Sequence, residues 1–220
     1  MCDVSEEIRI ETWGPFACFT RPDLKVERVS YDMMTPSAAR NLLQSIYWHP
    51  GMRYEITAIE LLSPVKRMQL MRNELKSKMV SSKVISGSVK GKDLYINTQD
   101  DIMQRSSVIL KDVHYCIHAK IHMTKKASPT DSIKKFVDIL TRRARNGQFY
   151  LPAYLGCKEF PAFFRLVENN EPVPRLHRDV DLGLMLYDMD YSNPENMRPS
   201  FFMAHIEDGI MNVSGVHLYK

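Results

Sequence analysis

Alternation of apolar and polar residues predicts β-strands in three parts of the chain. Residues 7–12, 53–62 and 112–123 each place apolar side chains at every second position. Because successive side chains of a strand point to opposite faces, each of these strands has one face suited to a core. The strand at residues 112–123 is the clearest, and its polar face carries His114, His118 and His122.

Two segments instead repeat their apolar residues with the spacing of an amphipathic helix. The first begins at Thr35-Pro36, where a threonine N-cap precedes a proline at the first helical position, and ends before Gly51. The second begins after Ser128 and ends before Gly147. Their apolar stripes are Ala38, Ala39, Leu42, Leu43 and Ile46 in the first, and Ile133, Phe136, Val137, Leu140 and Ala144 in the second.

The order of these elements predicts an α+β fold of the ferredoxin-like, βαββαβ type. We expect the fourth strand at residues 148–151, and both helices on one face of an antiparallel sheet. Residues 63–110 have weak periodicity and are expected to form an insertion with a short helix at 66–78. The predicted division is a ferredoxin-like RNA-binding and nuclease domain at 1–160 and a C-terminal β annex at 161–220, with strand-like runs at 182–186, 201–204 and 213–218.

Charge is separated along the chain, although the net charge of the 220 residues is only +4. Residues 66–92 contain eight lysines and arginines against one acid, and residues 120–158 contain nine against two. Residues 166–210 contain three against nine. This separation is typical of a surface that binds a polyanion, and ordinary solvated surface charge is the alternative.

Several classes of protein are disfavoured by what the sequence lacks. No apolar run approaches the length that spans a bilayer, and the N-terminus has no secretory pattern, so we expect a cytoplasmic protein. The four cysteines form no CxxC pair, which argues against a zinc knuckle. Neither a GxSxG nucleophile motif nor a phosphate-binding glycine loop is present.

The three histidines invite a metal-site interpretation that strand geometry opposes. At a rise of roughly 3.3 Å per residue, His114 and His118 would lie about 13 Å apart, too far to bind one ion. We therefore expect no metal and no cofactor, and a polar sheet face that contacts RNA or lines an interface. On the second helix, Lys135 and Arg142 lie near each other on the outer face with Arg145 close by, where they hold a phosphate or are simply solvated.

Several linked segments resemble one family, the subtype I-C (Dvulg) CRISPR-associated Cas-five endoribonucleases. They cover residues 7–165 in order: Gly14-Pro15-Phe16-Ala17-Cys18-Phe19-Thr20, Val29-Ser30-Tyr31, Gln44-Ser45-Ile46-Tyr47-Trp48, Leu110-Lys111-Asp112-Val113-His114-Tyr115, Arg142-Arg143, Gly147-Gln148 and the run from Tyr154 to Ala162. The resemblance implies a ferredoxin-like RNA-binding fold with a C-terminal β annex. It also implies metal-independent cleavage of precursor CRISPR RNA at the base of the repeat hairpin, leaving a 2′,3′-cyclic phosphate. The enzyme, a monomer when free, would then stay on the 5′ handle among the other subunits of the interference complex.

The resemblance also implies a catalytic set. Tyr47 matches the family's tyrosine and Lys135 its lysine, but Phe136 stands where the family has a histidine. Lys134, through an alignment shifted by one residue, and His114 are reserve proton donors. The residues expected to bind RNA are Arg142, Arg143, Arg145, His118 and Lys120. The missing histidine favours a rival interpretation, a non-catalytic subunit that caps the 5′ handle of the CRISPR RNA.

Overall fold

The computed structural model describes residues 4–77, 95–169, 171–191 and 196–220. Eight strands and two α-helices follow one another along these residues. They are β1 (Ile8–Ala17), α1 (Pro36–Ile46), β2 (Met52–Leu61), β3 (Lys66–Leu75), β4 (Ile102–Met123), α2 (Ile133–Arg145), β5 (Phe163–Val167), β6 (Val180–Asp190), β7 (Arg198–Ile206) and β8 (Ile210–Asn212). Neither helix is long and apolar enough to cross a membrane.

The main sheet is antiparallel and is built around β4. Its strand order is β5-β1-β4-β2-β8, and β3 pairs with the first half of β4 beside this path. The second half of β4 lies between β1 and β2, so Ile117 faces Ile10 on one side and Ile59 on the other. The sequence prediction of a mostly antiparallel sheet with two helices is confirmed.

Both helices pack on one face of this sheet. Alternation along β4 points Val113, Tyr115 and Ile117 into the same buried cluster as the apolar stripes of α1 and α2. Phe136, Leu140 and Ala144 of α2, and Leu42, Leu43 and Ile46 of α1, are almost completely buried there. Each such apolar side chain stabilises the fold by about 1.5–3 kcal/mol. The polar side chains of β4 consequently lie on the face away from the helices.

The prediction of a short helix at residues 66–78 is wrong. Lys66–Leu75 is strand β3, which pairs in continuous register with residues 102–111 to form a long hairpin. Because the backbone groups of β3 are paired with those of β4, sheet hydrogen bonding outweighs the helix-forming side chains of this segment. The rest of the predicted helix beyond Ser77, and residues 78–94 of the insertion, lie outside the described residues.

The prediction of a fourth strand at residues 148–151 is also wrong. The backbone N–H groups of Tyr150 and Leu151 both donate to the carbonyl of Ser45, at 2.8 and 3.0 Å, so they satisfy a carbonyl at the end of α1. The strand that follows α2 and pairs with β1 is β5, Phe163–Val167, which belongs to the segment expected to form the annex.

The rest of that C-terminal segment forms a two-stranded sheet, β6–β7, and the short strand β8. The expected strands at 182–186 and 201–204 fall within β6 and β7, whereas 213–218 contains no strand and β8 precedes it. Arg40 of α1 donates two hydrogen bonds of 2.8 Å to Asp188 of β6. Met185 and Phe202 bury their side chains in the main core, so the hairpin is packed on the helical layer.

Asp112 interrupts the regular alternation of β4. Its φ of 51° is in the left-handed region, and the pairing of β4 with β1 omits both Asp112 and the facing Pro15, with the same register before and after them. The left-handed backbone of Asp112, and not an inserted residue, accompanies a change in which side chains of β4 face the main core. The carbonyl of Asp112 accepts a hydrogen bond from the Ser63 hydroxyl at 2.9 Å, and its carboxylate pairs with Lys66 at 3.2 Å.

A glycine pair tests the tight packing between β1 and the loop after α2. Gly156 and Gly215 both have positive φ, of 82° and 69°, but a Cβ at Gly156 would overlap the carbonyl of Cys18, whereas a Cβ at Gly215 meets open space. We expect Gly156→Ala to lower the free energy of unfolding by more than about 3 kcal/mol, measured by urea denaturation. Gly215→Ala should cost only the backbone strain, about 1–2 kcal/mol. Equal losses in the two variants would contradict the steric argument.

Candidate active site

Tyr47 lies where the chain leaves α1. The Thr35 hydroxyl accepts the N–H of Ala38 at the start of the helix, as predicted, and Tyr47 at its end is extended, with φ of −152° and ψ of 132°. Side chains alternate in extended backbone, so Tyr47 and His49 point to one side and Trp48 to the other. Accordingly, the rings of Tyr47 and His49 both approach Phe136, while Trp48 is 54% exposed.

Phe136 is the buried element around which this site is arranged. Its ring centre lies 6.4 Å from that of Tyr47 and 5.2 Å from that of His49, and the side chain is fully buried. The first turn of α2 positions it, because Ser132 caps the helix by accepting the N–H of Lys135. Lys135, one residue before Phe136, is therefore directed to the rim of the same site.

Asp131 links the cation of Lys135 with the imidazole of His49. Its carboxylate accepts a hydrogen bond from the Ser128 N–H at 2.9 Å, pairs with Lys135 Nζ at 3.0 Å and lies 3.8 Å from His49 Nδ1. The backbone hydrogen bond, followed by the contact with Lys135, lowers the pKa of Asp131. Only 3% of this side chain is exposed, so the anion holds its partners in a fixed geometry.

Two cations act on the hydroxyl of Tyr47. The guanidinium of Arg143 lies 5.2 Å from the centre of the Tyr47 ring and donates to the carbonyl of Ile46 at 2.9 Å. Burial raises the pKa of Tyr47, and the charges of Lys135 and Arg143 offset part of that rise. Because the net shift is upward, the hydroxyl is protonated near neutral pH and serves as a hydrogen-bond donor.

His49 and Asp131 were not singled out as functional by the sequence analysis. His49 Nδ1 accepts the N–H of Gly51 at 3.0 Å, and the imidazole remains 39% exposed. In the sequence, the run His49-Pro50-Gly51 indicates only the end of the first helix. Alternation of Tyr47 and His49 just beyond a helix end was the signal available in the sequence, but it becomes informative only when α2 is known to pack there.

A cavity of about 470 Å³ adjoins Tyr47 on the side of Arg143. The end of α1 and the segment after α2 form its walls. The lining residues are Asn41, Gln44, Ser45, Tyr47, Trp48, Arg143, Tyr150, Leu151 and Tyr154.

The other cations predicted on α2 differ in their exposure and in their partners. Lys134 and Arg142 are exposed, and Arg142 is 3.5 Å from the side-chain oxygen of Gln148. Arg145 pairs with Glu168 at 2.8 Å, which partly neutralises it. Arg143 is therefore the predicted arginine that contacts Tyr47.

The histidines of β4 lie on the opposite face of the sheet and are engaged by glutamates. His114 contacts Glu11 at 2.6 Å, and His122 contacts Glu55. The structure does not bring His114 to Tyr47, because the polar face of β4 points away from the helices. Lys120, on the same polar face, stands opposite Glu55 in the register of β2 and β4.

His118 is enclosed by two carboxylates. Its Nδ1 lies 2.8 Å from Glu7 and its Nε2 lies 2.6 Å from Glu60. Glu60, Cys116 and His118 also form a group whose possible metal-ligating atoms lie within 4.8 Å of one another. Each of the three is already in contact with another member of the group, so charge pairing accounts for the arrangement.

Comparison with known proteins identifies similar chains. A family model described as CRISPR-associated protein (Cas5) matches residues 7–214. Proteins named CRISPR pre-crRNA endoribonuclease Cas5d are 42% identical in Mannheimia succiniciproducens, over 96% of both chains, and 36% identical in Thermus thermophilus, over 94% of this chain and 90% of that protein. A solved structure titled as a CRISPR-associated protein superposes with a TM-score of 0.70 at 18% identity, covering 99% of this chain and 98% of the other.

The contacts of His118 with two glutamates predict a pH-dependent stability. Burial opposes protonation of His118, but hydrogen bonds with Cys116, Glu60 and Glu7 outweigh it and raise its pKa to about 10. A raised pKa means that the stabilisation is complete below the unfolded-state value near 6.5 and is lost as pH rises through about 10. We expect His118→Gln to lower the free energy of unfolding by about 2 kcal/mol more at pH 6 than at pH 10. A pH-independent difference in urea denaturation would refute this.

Proposed function

Because this chain belongs to the CRISPR-associated Cas5 family, we propose that it is a metal-independent endoribonuclease that cuts precursor CRISPR RNA at the base of the repeat hairpin. The two relatives named as pre-crRNA endoribonucleases extend over nearly the whole chain, which supports carrying the activity across. The observation that carries the proposal is the placement of two cations, Lys135 and Arg143, close to Tyr47.

The fold in this proposal is ferredoxin-like. Setting aside β3 and β8, the order β5-β1-β4-β2, with α1 between β1 and β2 and α2 between β4 and β5, is the arrangement of a split βαβ sheet. We place the end of this domain after Val167, rather than at residue 160, because β5 is hydrogen-bonded to β1. The annex then comprises β6, β7 and β8.

Cleavage without a metal requires that a 2′-hydroxyl attack the neighbouring phosphorus while the P–O5′ bond breaks. In our proposal the Tyr47 hydroxyl, which is protonated, donates a hydrogen bond that orients the reacting ribose-phosphate, and the 2′ proton passes to water. Lys135 and Arg143 stabilise the negative charge that develops on the phosphate oxygens. The products are a 2′,3′-cyclic phosphate and a 5′-hydroxyl.

The leaving O5′ needs a proton, and His49 is the group positioned to supply it. Phe136 occupies the position that the family resemblance assigns to a histidine, but the His49 ring lies against it. When His49 is neutral, Nδ1 accepts the Gly51 N–H; when it is protonated, Nδ1–H turns to Asp131 and Nε2–H is free to donate. Nε2 then delivers its proton to O5′ as the bond breaks.

The path of the RNA follows the cations on the helical side of the sheet. Arg142 and Lys134 are exposed beside the site and can contact phosphates. His118 and Lys120 lie on the face where glutamates pair with the histidines, so in our proposal they contribute less to RNA binding than α2 does. Continued binding of the 5′ handle within the interference complex follows from the family resemblance.

A scaffold that binds RNA without cutting it is the rival function. Phe136 in place of a histidine favours that alternative, whereas the imidazole of His49 beside Phe136 and Asp131 favours the enzyme. The two functions differ in whether the RNA is cleaved, and a metal-dependent hydrolase differs from both in its sensitivity to chelation.

The first test of the enzyme is cleavage of labelled repeat RNA in EDTA. We expect the protein to make a single cut at the base of the hairpin. Tyr47→Phe should reduce the single-turnover rate by about 100-fold to 10,000-fold, since it removes the orienting hydroxyl. Lys135→Ala should reduce the rate by at least about 100-fold, because it removes a cation that stabilises the negative charge on the phosphate.

Tyr191→Phe is the matched control, because it removes the hydroxyl of an exposed tyrosine that follows β6 and should leave the rate unchanged. Tight binding of RNA that stays intact would establish the scaffold instead. Cleavage that EDTA abolishes would establish a metal-dependent nuclease.

A substrate with sulfur in place of the bridging 5′ oxygen tests His49 as the acid, because a thiolate leaves without protonation. On ordinary RNA, His49→Asn should cleave about 100-fold or more slowly. Asparagine retains an acceptor for the Gly51 N–H but has no group at the position of Nε2. On the sulfur substrate, His49→Asn should recover to near the wild-type rate.

Tyr47→Phe serves as the comparison in this experiment, since the sulfur substrate should not rescue it. A slow His49→Asn variant that the sulfur substrate fails to rescue would show that the imidazole has a structural or positioning role.

A further inference from the structure

Aromatic side chains from two short segments of the chain line the cavity beside Tyr47. Trp48 follows directly after Tyr47 and is 54% exposed, and Tyr150 on the facing segment is 74% exposed. Exposure of large rings on both sides of one cavity is uncommon on a surface that contacts only water. Both residues line the cavity, so a group that enters it can pack against them.

The position of the second wall is set by backbone hydrogen bonds. Tyr150 and Leu151 donate their N–H groups to the carbonyl of Ser45, at 2.8 and 3.0 Å, which ties this wall to the last turn of α1. Their side chains thus remain exposed while their backbone is anchored. This segment is rich in strand-forming residues but is not a strand, because its backbone N–H groups bind the carbonyl of Ser45 and not a neighbouring strand.

Polar groups line the remaining sides. Asn41 and Gln44 lie on the exposed side of α1, one helical turn apart, and each contributes a side-chain amide with both a donor and an acceptor. The amide oxygen of Gln44 also accepts a hydrogen bond from Arg40 at 3.1 Å, which restrains its orientation. Arg143 closes the cavity on the side of Tyr47.

We infer that this cavity binds one unpaired nucleobase of the RNA, on the nucleotide next to the scissile phosphate. The inference rests on the proposed function and adds to it a binding site. Unpaired bases are recognised by stacking on aromatic rings and by hydrogen bonds from amides to their edges. The cavity has both kinds of group and enough volume for a base. Its continuity with Tyr47 selects the occupant, because a nucleotide whose phosphate is at Tyr47 and Lys135 has its base within reach of Trp48.

Binding of an unpaired base in the cavity would also determine which phosphate is cut. Inside a duplex, a base is stacked and paired and is not available to the cavity. A nucleotide just outside the hairpin is available without the cost of unpairing. The cavity would therefore select the junction between single-stranded and paired RNA, whatever the sequence of the stem.

The test is binding of uncleavable RNA, with 2′-deoxyribose at the cut, measured by fluorescence anisotropy. Trp48→Ala and Tyr150→Ala should each weaken binding by about 5-fold to 150-fold, the range for loss of one base stack. Removing the single base that occupies the cavity, with an abasic nucleotide, should weaken binding to the wild-type protein by a similar factor. In Trp48→Ala or Tyr150→Ala the same abasic nucleotide should have little further effect.

Tyr95→Ala is the control, because Tyr95 is 79% exposed but lies near the end of the β3–β4 hairpin, and its loss should leave binding unchanged. A 2-aminopurine base at the identified position should be quenched on binding the wild-type protein and much less on binding Trp48→Ala. Unchanged binding by both ring variants, or abasic effects that add fully to theirs at every position tried, would overturn the inference. Cleavage by the wild-type protein in EDTA would still stand in that case, so failure of the cavity is distinguished from failure of the proposed function.

Discussion

Burial of Phe136 is the constraint on which the active site depends. The ring is fully buried beneath α2, and the rings of Tyr47 and His49 lie against it from the other helix end. Two chain segments that are distant in sequence thereby meet. The same packing fixes the direction of Lys135, the residue before Phe136. A smaller side chain at this position would leave a void beneath the site and loosen each of these groups together.

Charges around this core are arranged so that each has a separate partner. Asp131 is held by the Ser128 N–H and pairs with Lys135, while Arg143 is held by the carbonyl of Ile46 and covers the ring of Tyr47. On the far side of the sheet, the histidines of β4 are matched with glutamates from β1 and β2 and with Glu7. The helical side therefore carries the cations suited to a phosphate, and the other side is internally neutralised.

The periodicity of apolar residues was sufficient to predict the helices and strands that bury one face in the core. The stripe on α2 and the alternation in residues 112–123 both predicted the residues that pack in the core, although Cys116 on the predicted polar face is buried too, because burial on one face imposes a period that is visible in the sequence. The errors at 66–78 and 148–151 arose where backbone partners are distant along the chain: β3 pairs across the hairpin, and Tyr150 bonds to Ser45. The placement of Tyr47 near Lys135 likewise depends on how α1 and α2 pack, as does the grouping of His49 with Asp131, which no local pattern reveals.

The left-handed residue Asp112 divides the longest strand into two halves of opposite phase. After it, odd-numbered residues such as Val113 and Tyr115 face the main core; before it, even-numbered Leu110 does so, and Ile109 packs with Cys18 and Phe160. This one left-handed residue thus lets adjacent side chains serve two separate cores. The hairpin can therefore change length by two residues per strand and keep its inner side inward, whereas a change by one would turn that side to solvent.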